Sequence, residues 1–195
     1  MRRLILLRHG ETVTNREGRY TGQLDVPLTE KGREDAVQAG IRLRSFPRYP
    51  DRVYCSFLSR TRETAKLAVP ALEPVVLPGI EEANLGILEG KTYREAEALW
   101  PEMMRLWSEN RDYARFRLPG AETNLMACER ALRAVAAVPD GCCALMVTHS
   151  TIICALLSAL LTGSVDHMLN FDIQNGHMAV FDLTANGARL MGLNL

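Results

Sequence analysis

Two histidines stand where chain chemistry and local pattern favour reactivity: Arg8-His9-Gly10 follows the apolar run of residues 3–7, and Thr148-His149-Ser150 follows the apolar run of residues 142–147. Short continuous apolar runs mark strands covered on both faces. In open α/β sheets, ligands bind beyond the carboxyl ends of such strands. A third short strand, 52–55, leads towards Arg60. If the three strands are neighbours, two imidazoles and two guanidiniums converge on one pocket. Arginine offers a planar fork of permanently charged donors matched to phosphate oxygens, and those charge-assisted bonds are about twice as strong as neutral ones. Neighbouring cations disfavour a protonated imidazole, so His9 keeps a lone pair able to attack phosphorus. The chemistry these residues point to is phosphoryl transfer.

The elements that must position them follow from periodicity. Residues 29–46 read as a helix capped by Thr29, with Ala36, Val37, Gly40, Ile41 and Leu43 as its apolar stripe. A helix is expected from about Ser56 towards Leu67, and a strand and loop across 74–90. Residues 92–118 read as a helical insert whose second piece opens at Pro101, packed through Trp100, Met103, Met104, Leu106 and Trp107. A further helix is expected over 123–138, and a hairpin of 177–183 and 188–193 around Asn186-Gly187. Strands alternating with helices imply a three-layer α/β/α sandwich, its sheet mainly parallel with an antiparallel edge strand, in one domain spanning 1–195.

Composition narrows the partners. The 195 residues carry 23 Lys plus Arg and 23 Asp plus Glu, a net charge of zero, so no surplus positive field exists for a generic nucleic-acid or membrane-surface binder. An anionic substrate must be held by a few placed cations. Residues 142–165 contain no Asp, Glu, Lys or Arg, but Thr148-His149-Ser150-Thr151 interrupts them, and a buried strand running into a helix explains them better than a membrane span. The four apolar residues between Arg3 and Arg8 are too short a stretch for a secretory signal. Cys55, Cys128, Cys142, Cys143 and Cys154 have no C-x-x-C spacing and read as reduced thiols of a cytoplasmic protein.

Arg8-His9-Gly10-Glu11-Thr12 with Asn15 resembles the R-H-G-E-T-x-x-N signature of the histidine phosphatase superfamily, the phosphoglycerate mutase-like proteins, and residues 19–32 continue the likeness. Ser56 to Ala65 is similar to that family's second arginine motif, Glu82 to Gly90 to its E-x-x-x-G-x-x-E-G, and Pro119-Gly120-Ala121-Glu122 to its P-G-x-E, in order along nearly the whole chain. The resemblance implies a phosphoglycerate mutase-like fold and these roles: His9 as nucleophile, Arg8, Arg60 and His149 as clamps on the phosphoryl group, Glu82 as the acid that protonates the leaving oxygen and later activates water. It also implies Asn15, Thr21 and Gly22 as neutral donors to phosphate, and it requires no metal or other cofactor. Glu81 is an adjacent rival to Glu82, and spacing to Gly86 favours Glu82.

Two departures stand out: Ser150 and Thr151 occupy positions where the family commonly has glycine, so their hydroxyls narrow the pocket floor or add a donor, and Phe57 replaces a polar residue. Outside the resemblance, His167 reads as a surface or helix-end residue and His177 as a strand-start residue. Gly86 to Thr92 has the wrong glycine spacing for a P-loop, Cys55 to Arg60 the wrong spacing for a cysteine phosphatase loop, and Ser150 lacks a G-x-S-x-G frame.

The expected function is hydrolysis of small phosphate monoesters through a phosphohistidine. The run Gly18 to Leu28 resembles the family's α-ribazole phosphatases, implying α-ribazole 5'-phosphate as one candidate substrate. A cofactor-dependent phosphoglycerate mutase is the first alternative, and an idle phosphate-ligand binding protein the second. The partner expected is a small phosphorylated metabolite, with neither nucleic acid nor membrane. Oligomeric state stays open, a homodimer among the options. Selectivity is assigned to a helical flap at about 91–122, where Lys91, Arg94, Arg105, Arg111, Arg115 and Arg117 are either substrate contacts or, for most of them, solvated partners of nearby Glu and Asp.

Overall fold

A computed structural model describes residues 1–110 and 112–195. The buried apolar runs form the centre of a six-stranded sheet as β1 (Arg2–Arg8) and β4 (Cys143–Thr148); β2 (Arg52–Cys55) and the short, exposed edge strand β3 (Val75–Val76) continue its parallel part. A hairpin of β5 (Met178–Thr184) and β6 (Gly187–Leu193) completes it, in the order β3-β2-β4-β1-β5-β6, with β5 antiparallel to both β1 and β6. The expected hairpin thus makes up the antiparallel edge. Its turn is shifted by one residue from the expected Asn186-Gly187: Thr184 pairs with Gly187, so Ala185 and Asn186 form the loop and Gly187 takes the positive φ.

Period-two alternation along the strands splits the core into two layers. Leu4, Leu6, Ala144 and Met146 pack under α6 (Asn124–Ala136) and α7 (Ser150–Thr162). Ile5, Leu7, Leu145 and Val147 pack on the opposite side against α2 (Glu30–Arg44) and α3 (Ser59–Ala68). The charge-free stretch is therefore a fully buried strand followed by a helix whose Ile152 to Leu157 lie in the core. No described helix is long and apolar enough to cross a membrane.

Helix phases differ from expectation in two places. In α2 the buried face is Ala36, Ala39, Gly40 and Leu43, while Val37 and Ile41 face solvent, because small residues let the helix approach α3 closely. The insert contains α4 (Tyr93–Leu99) and α5 (Pro101–Glu109) but its helix stops there, well before 118. Asn110 Oδ1 accepts the Asp112 N–H and Asp112 Oδ1 accepts the Arg115 N–H, side-chain turns that compete with helical hydrogen bonding. Trp100, Met103, Met104 and Trp107 share one side at helical spacing and form a satellite core with Leu88, Ala96, Leu118 and Ala121; Leu106 lies off that face and is exposed.

Candidate active site

Register brings the two histidines together. Arg8 pairs with Thr148 across β1 and β4, and Cys55 with Val147 across β2 and β4, so His9, His149 and Ser56 leave the sheet side by side at its carboxyl edge. The His9 and His149 rings meet edge to face with centroids 5.2 Å apart, and both side chains are buried.

Backbone hydrogen bonds hold the His9 segment from three sides. Its N–H donates to Thr148 O at 3.1 Å, its carbonyl accepts Asn175 Nδ2 at 3.0 Å, and the Gly10 N–H donates to Thr64 Oγ1 at 3.1 Å. His9 Nδ1 lies 2.7 Å from Gly10 O. A carbonyl can only accept, so Nδ1 carries the hydrogen and Nε2 keeps the lone pair. His149 has the opposite arrangement: Nε2 is 2.9 Å from Ser56 Oγ, and Nδ1 is buried without a partner.

Arg60, the bulkiest fully buried side chain among the described residues, donates from Nη1 to Leu24 O and from Nη2 to Gly22 O, both at 2.8 Å. Gly22 accepts this role through a positive φ, and a Cβ there would collide with the Glu89 carboxylate. Arg8 donates from Nη1 to Ile173 O at 2.6 Å. Nε of both arginines is buried and unpartnered, and neither makes an ion pair among the described residues. Two desolvated guanidiniums without a bonded carboxylate are costly unless an anion joins them. Glu82 is the carboxylate whose charge acts on both, with Asp172 acting on Arg8 and Asp25 and Glu89 on Arg60.

Geometry sends Glu81 and Glu82 in different directions. Glu81 turns away, accepting the Gly79 N–H and approaching Arg130 Nη1 at 3.5 Å. Glu82 is buried, accepting the Ala83 N–H at 2.9 Å and, at 3.4 Å, the N–H of Thr151 in the first turn of α7. Glycine at position 151 would offer the same N–H; what the departure adds is the Thr151 hydroxyl, which also favours the Glu82 carboxylate, and the Ser150 and Thr151 side chains stay only half-buried. Burial raises the Glu82 carboxyl, opposed by its backbone hydrogen bonds and Arg60. Burial first, then Arg60 and other nearby groups, pushes both His9 and His149 well below the ordinary imidazole value near 6.5.

These shifts make a stability prediction. Below about pH 6 the unfolded chain takes up two histidine protons that the folded site refuses, while the folded state holds at most one extra proton on Glu82. The unfolded state then binds more protons, so stability drops as the pH is lowered, by about 1 kcal/mol between pH 6 and pH 5. Urea unfolding at the two values measures it; equal or greater stability at pH 5 contradicts neutral buried imidazoles.

Of the remaining expected donors, Asn15 keeps its amide hydrogens free among the described residues and Thr21 is engaged. Asn15 Oδ1 caps α1 (Val13–Arg16) by accepting the Thr12 N–H and also accepts Asn175 Nδ2; its own Nδ2 makes none of the hydrogen bonds among the described residues. Thr21 Oγ1 lies 2.6 Å from Thr14 Oγ1. His167 is an exposed residue of a 3-10 turn, and His177 sits just before β5, its carbonyl accepting the Arg8 N–H. In the insert, Arg105 pairs with Glu102 and Glu109, and Arg115 with Asp112 and Asp166, as solvated surface pairs. Arg117 donates to Ala121 O. Lys91 and Arg94 form no ion pair among the described residues, and Arg111 lies outside them.

Sequence reasoning missed Ser56, Thr64 and Asn175 as supports of the site. Asn175 had a signal: β5 runs antiparallel to β1, so the polar residues that open the hairpin must fall at the same sheet edge as His9.

The carboxyl edge of this mainly parallel sheet gathers two neutral imidazoles, two guanidiniums without ion pairs among the described residues and a buried carboxyl in an α/β protein, an arrangement suited to an anion. The chain belongs to the histidine phosphatase superfamily (branch 1), whose family model matches residues 4–195. It is 31% identical over 198 residues to the adenosylcobalamin/alpha-ribazole phosphatase of Salmonella typhimurium, covering 98% of this chain and 96% of that protein. It is 36% identical over 118 residues to the 2,3-bisphosphoglycerate-dependent phosphoglycerate mutase of Tropheryma whipplei, an alignment spanning 57% of this chain and only about half, 53%, of the mutase. Among solved structures it superposes on the alpha-ribazole phosphatase of Shigella flexneri with a TM-score of 0.88 at 27% identity, covering 99% of this chain and 96% of that one. A mycobacterial glucosyl-3-phosphoglycerate phosphatase gives a TM-score of 0.85 at 28% identity, with 99% and 98% covered.

Proposed function

We propose that this protein is a phosphatase that hydrolyses small phosphate monoesters through a phosphohistidine at His9. The observation that carries the reading is the fixed tautomer of His9, a buried neutral ring with its Nε2 lone pair free beside two unpaired guanidiniums. His9 Nε2 attacks phosphorus as the bond to the leaving oxygen breaks, and that oxygen takes the proton of Glu82. Water then attacks the phosphohistidine, giving its proton to the Glu82 carboxylate, and the P–N bond breaks to release phosphate. Arg8 and Arg60 stabilise the charge on the equatorial oxygens. His149, tied to Ser56 Oγ through Nε2 at 2.9 Å, adds its buried, unpartnered Nδ1 to the same site.

The helices and loop of about 91–122 act as a flap over this pocket and set selectivity, within one domain over 1–195. The relatives aligned along their whole length support a phosphatase acting on a metabolite such as α-ribazole 5'-phosphate, and five free, buried cysteines fit a reducing cytoplasm. The mutase reading rests on the partial match to phosphoglycerate mutases. Assay of 3-phosphoglycerate with a bisphosphorylated primer separates the two: the phosphatase releases free phosphate, whereas rapid isomerisation without release favours the mutase.

Glu82→Gln tests the acid. We expect kcat/KM to fall about 100-fold or more for alkyl phosphates, whose leaving oxygens need a proton, and far less for nitrophenyl phosphate. Equal losses for both substrates remove Glu82 from the role.

A further inference from the structure

Residues 77–85 form neither helix nor strand, yet they must deliver Glu82 to a fixed point against the first turn of α7. The backbone of this loop is held from outside the pocket. Arg130, on α6, donates from Nη1 to Gly79 O at 2.8 Å and Glu81 O at 2.7 Å, and from Nη2 to Glu82 O at 3.0 Å. The same guanidinium meets Glu122 through Nε at 3.1 Å and Nη2 at 2.7 Å. Glu122 in turn accepts the Asn84 N–H at 2.9 Å, and its own N–H donates to Asn84 O at 3.1 Å. Both side chains are largely buried, 15% and 14% exposed, so the pair is shielded from solvent screening. One planar fork thus fixes three carbonyls up to and including Glu82, and its carboxylate partner fixes the residue two positions beyond.

We propose that the Arg130–Glu122 pair is a positioning device for Glu82, setting where its carboxyl meets the leaving oxygen without itself touching the substrate. The inference rests on Glu82 as the general acid. A lysine in place of Arg130 supplies the charge but not the fork that reaches three carbonyls and a carboxylate together. Loss of the pair should therefore weaken proton delivery while leaving the phosphate clamp of Arg8 and Arg60 intact.

The test measures kcat/KM for glycerol phosphate and nitrophenyl phosphate, with the affinity for inorganic phosphate, in R130M, R130K and E122Q. For R130M we expect a loss of roughly 10- to 100-fold on the alkyl substrate, since misplaced general acids forfeit much of their contribution. The aryl substrate should lose only about threefold and phosphate affinity should hold, because neither depends on the placement of Glu82. R130K should recover part of the alkyl rate, and E122Q should shift the ratio in the same direction by less. If R130M does not fold, R130K and E122Q carry the same readout. Equal loss on both substrates, or an unchanged ratio, overturns the proposal and leaves the pair as a structural tie. Combining R130M with E82Q separates the failures: if E82Q alone leaves the ratio unchanged, the acid assignment falls. If E82Q shifts it but the Arg130 and Glu122 variants do not, only the positioning role falls. In the E82Q background, R130M should add no further selectivity.

Discussion

His9→Ala is expected to lower kcat by about 10⁴-fold or more while leaving measurable affinity for inorganic phosphate. The asymmetry follows from what the substitution removes. Nε2 of His9 is the atom that bonds phosphorus in this account, and no other neutral nitrogen with a free lone pair is held in its place: His149 Nε2 is occupied by Ser56. Losing a nucleophile costs nearly all of the covalent pathway. The cations that bind the anion are untouched, since Arg60 is anchored on Gly22 and Leu24 and Arg8 on Ile173. Steady-state kinetics on a phosphomonoester panel, with calorimetric titration of phosphate, measure both halves. Activity within tenfold of the parent protein removes His9 from the reaction.

Arg60→Ala should damage binding and catalysis together, with kcat/KM falling roughly 10³- to 10⁵-fold, the range for a guanidinium that stabilises a transferring phosphoryl group. Phosphate affinity should fall as well, which distinguishes this variant from His9→Ala. Arg60→Lys should not restore the rate. One ammonium cannot hold the Gly22 and Leu24 carbonyls and still present a planar donor edge to the anion. The substitution also empties a fully buried volume and strands two carbonyls, so a thermal melt must accompany the kinetics. A folded Arg60→Ala protein with full phosphate affinity would mean that this guanidinium only ties the 22–24 loop to α3.

What the sequence made legible was set by local pattern. The apolar runs before His9 and His149 marked buried strands, and their parallel pairing was enough to bring remote residues to one edge. Caps were equally readable: Thr29 bonds the Gly32 N–H at the start of α2. Where long-range packing chose between local options, the pattern fell short. Val37 and Ile41 are apolar and in helical phase, but contact with α3 selected the side with Ala36, Ala39 and Gly40. The insert kept its helical spacing past Glu109, yet Asn110 and Asp112 spent their side chains on the backbone and ended the helix. Glu82 was separable from Glu81 only by resemblance, because the two adjacent carboxyls part through contacts made far along the chain, Glu81 towards Arg130 and Glu82 towards the Thr151 N–H. No spacing rule links a loop to a helix face that far away.

The central claim is a covalent bond between His9 and phosphorus, and rapid quench of the enzyme with ³²P-labelled substrate tests it most directly. The account predicts a transient, acid-labile and base-stable phosphoenzyme that maps to the peptide containing His9 and is missing from His9→Ala. Turnover that releases phosphate at full rate with no labelled protein at any time, or with label on another residue, contradicts it.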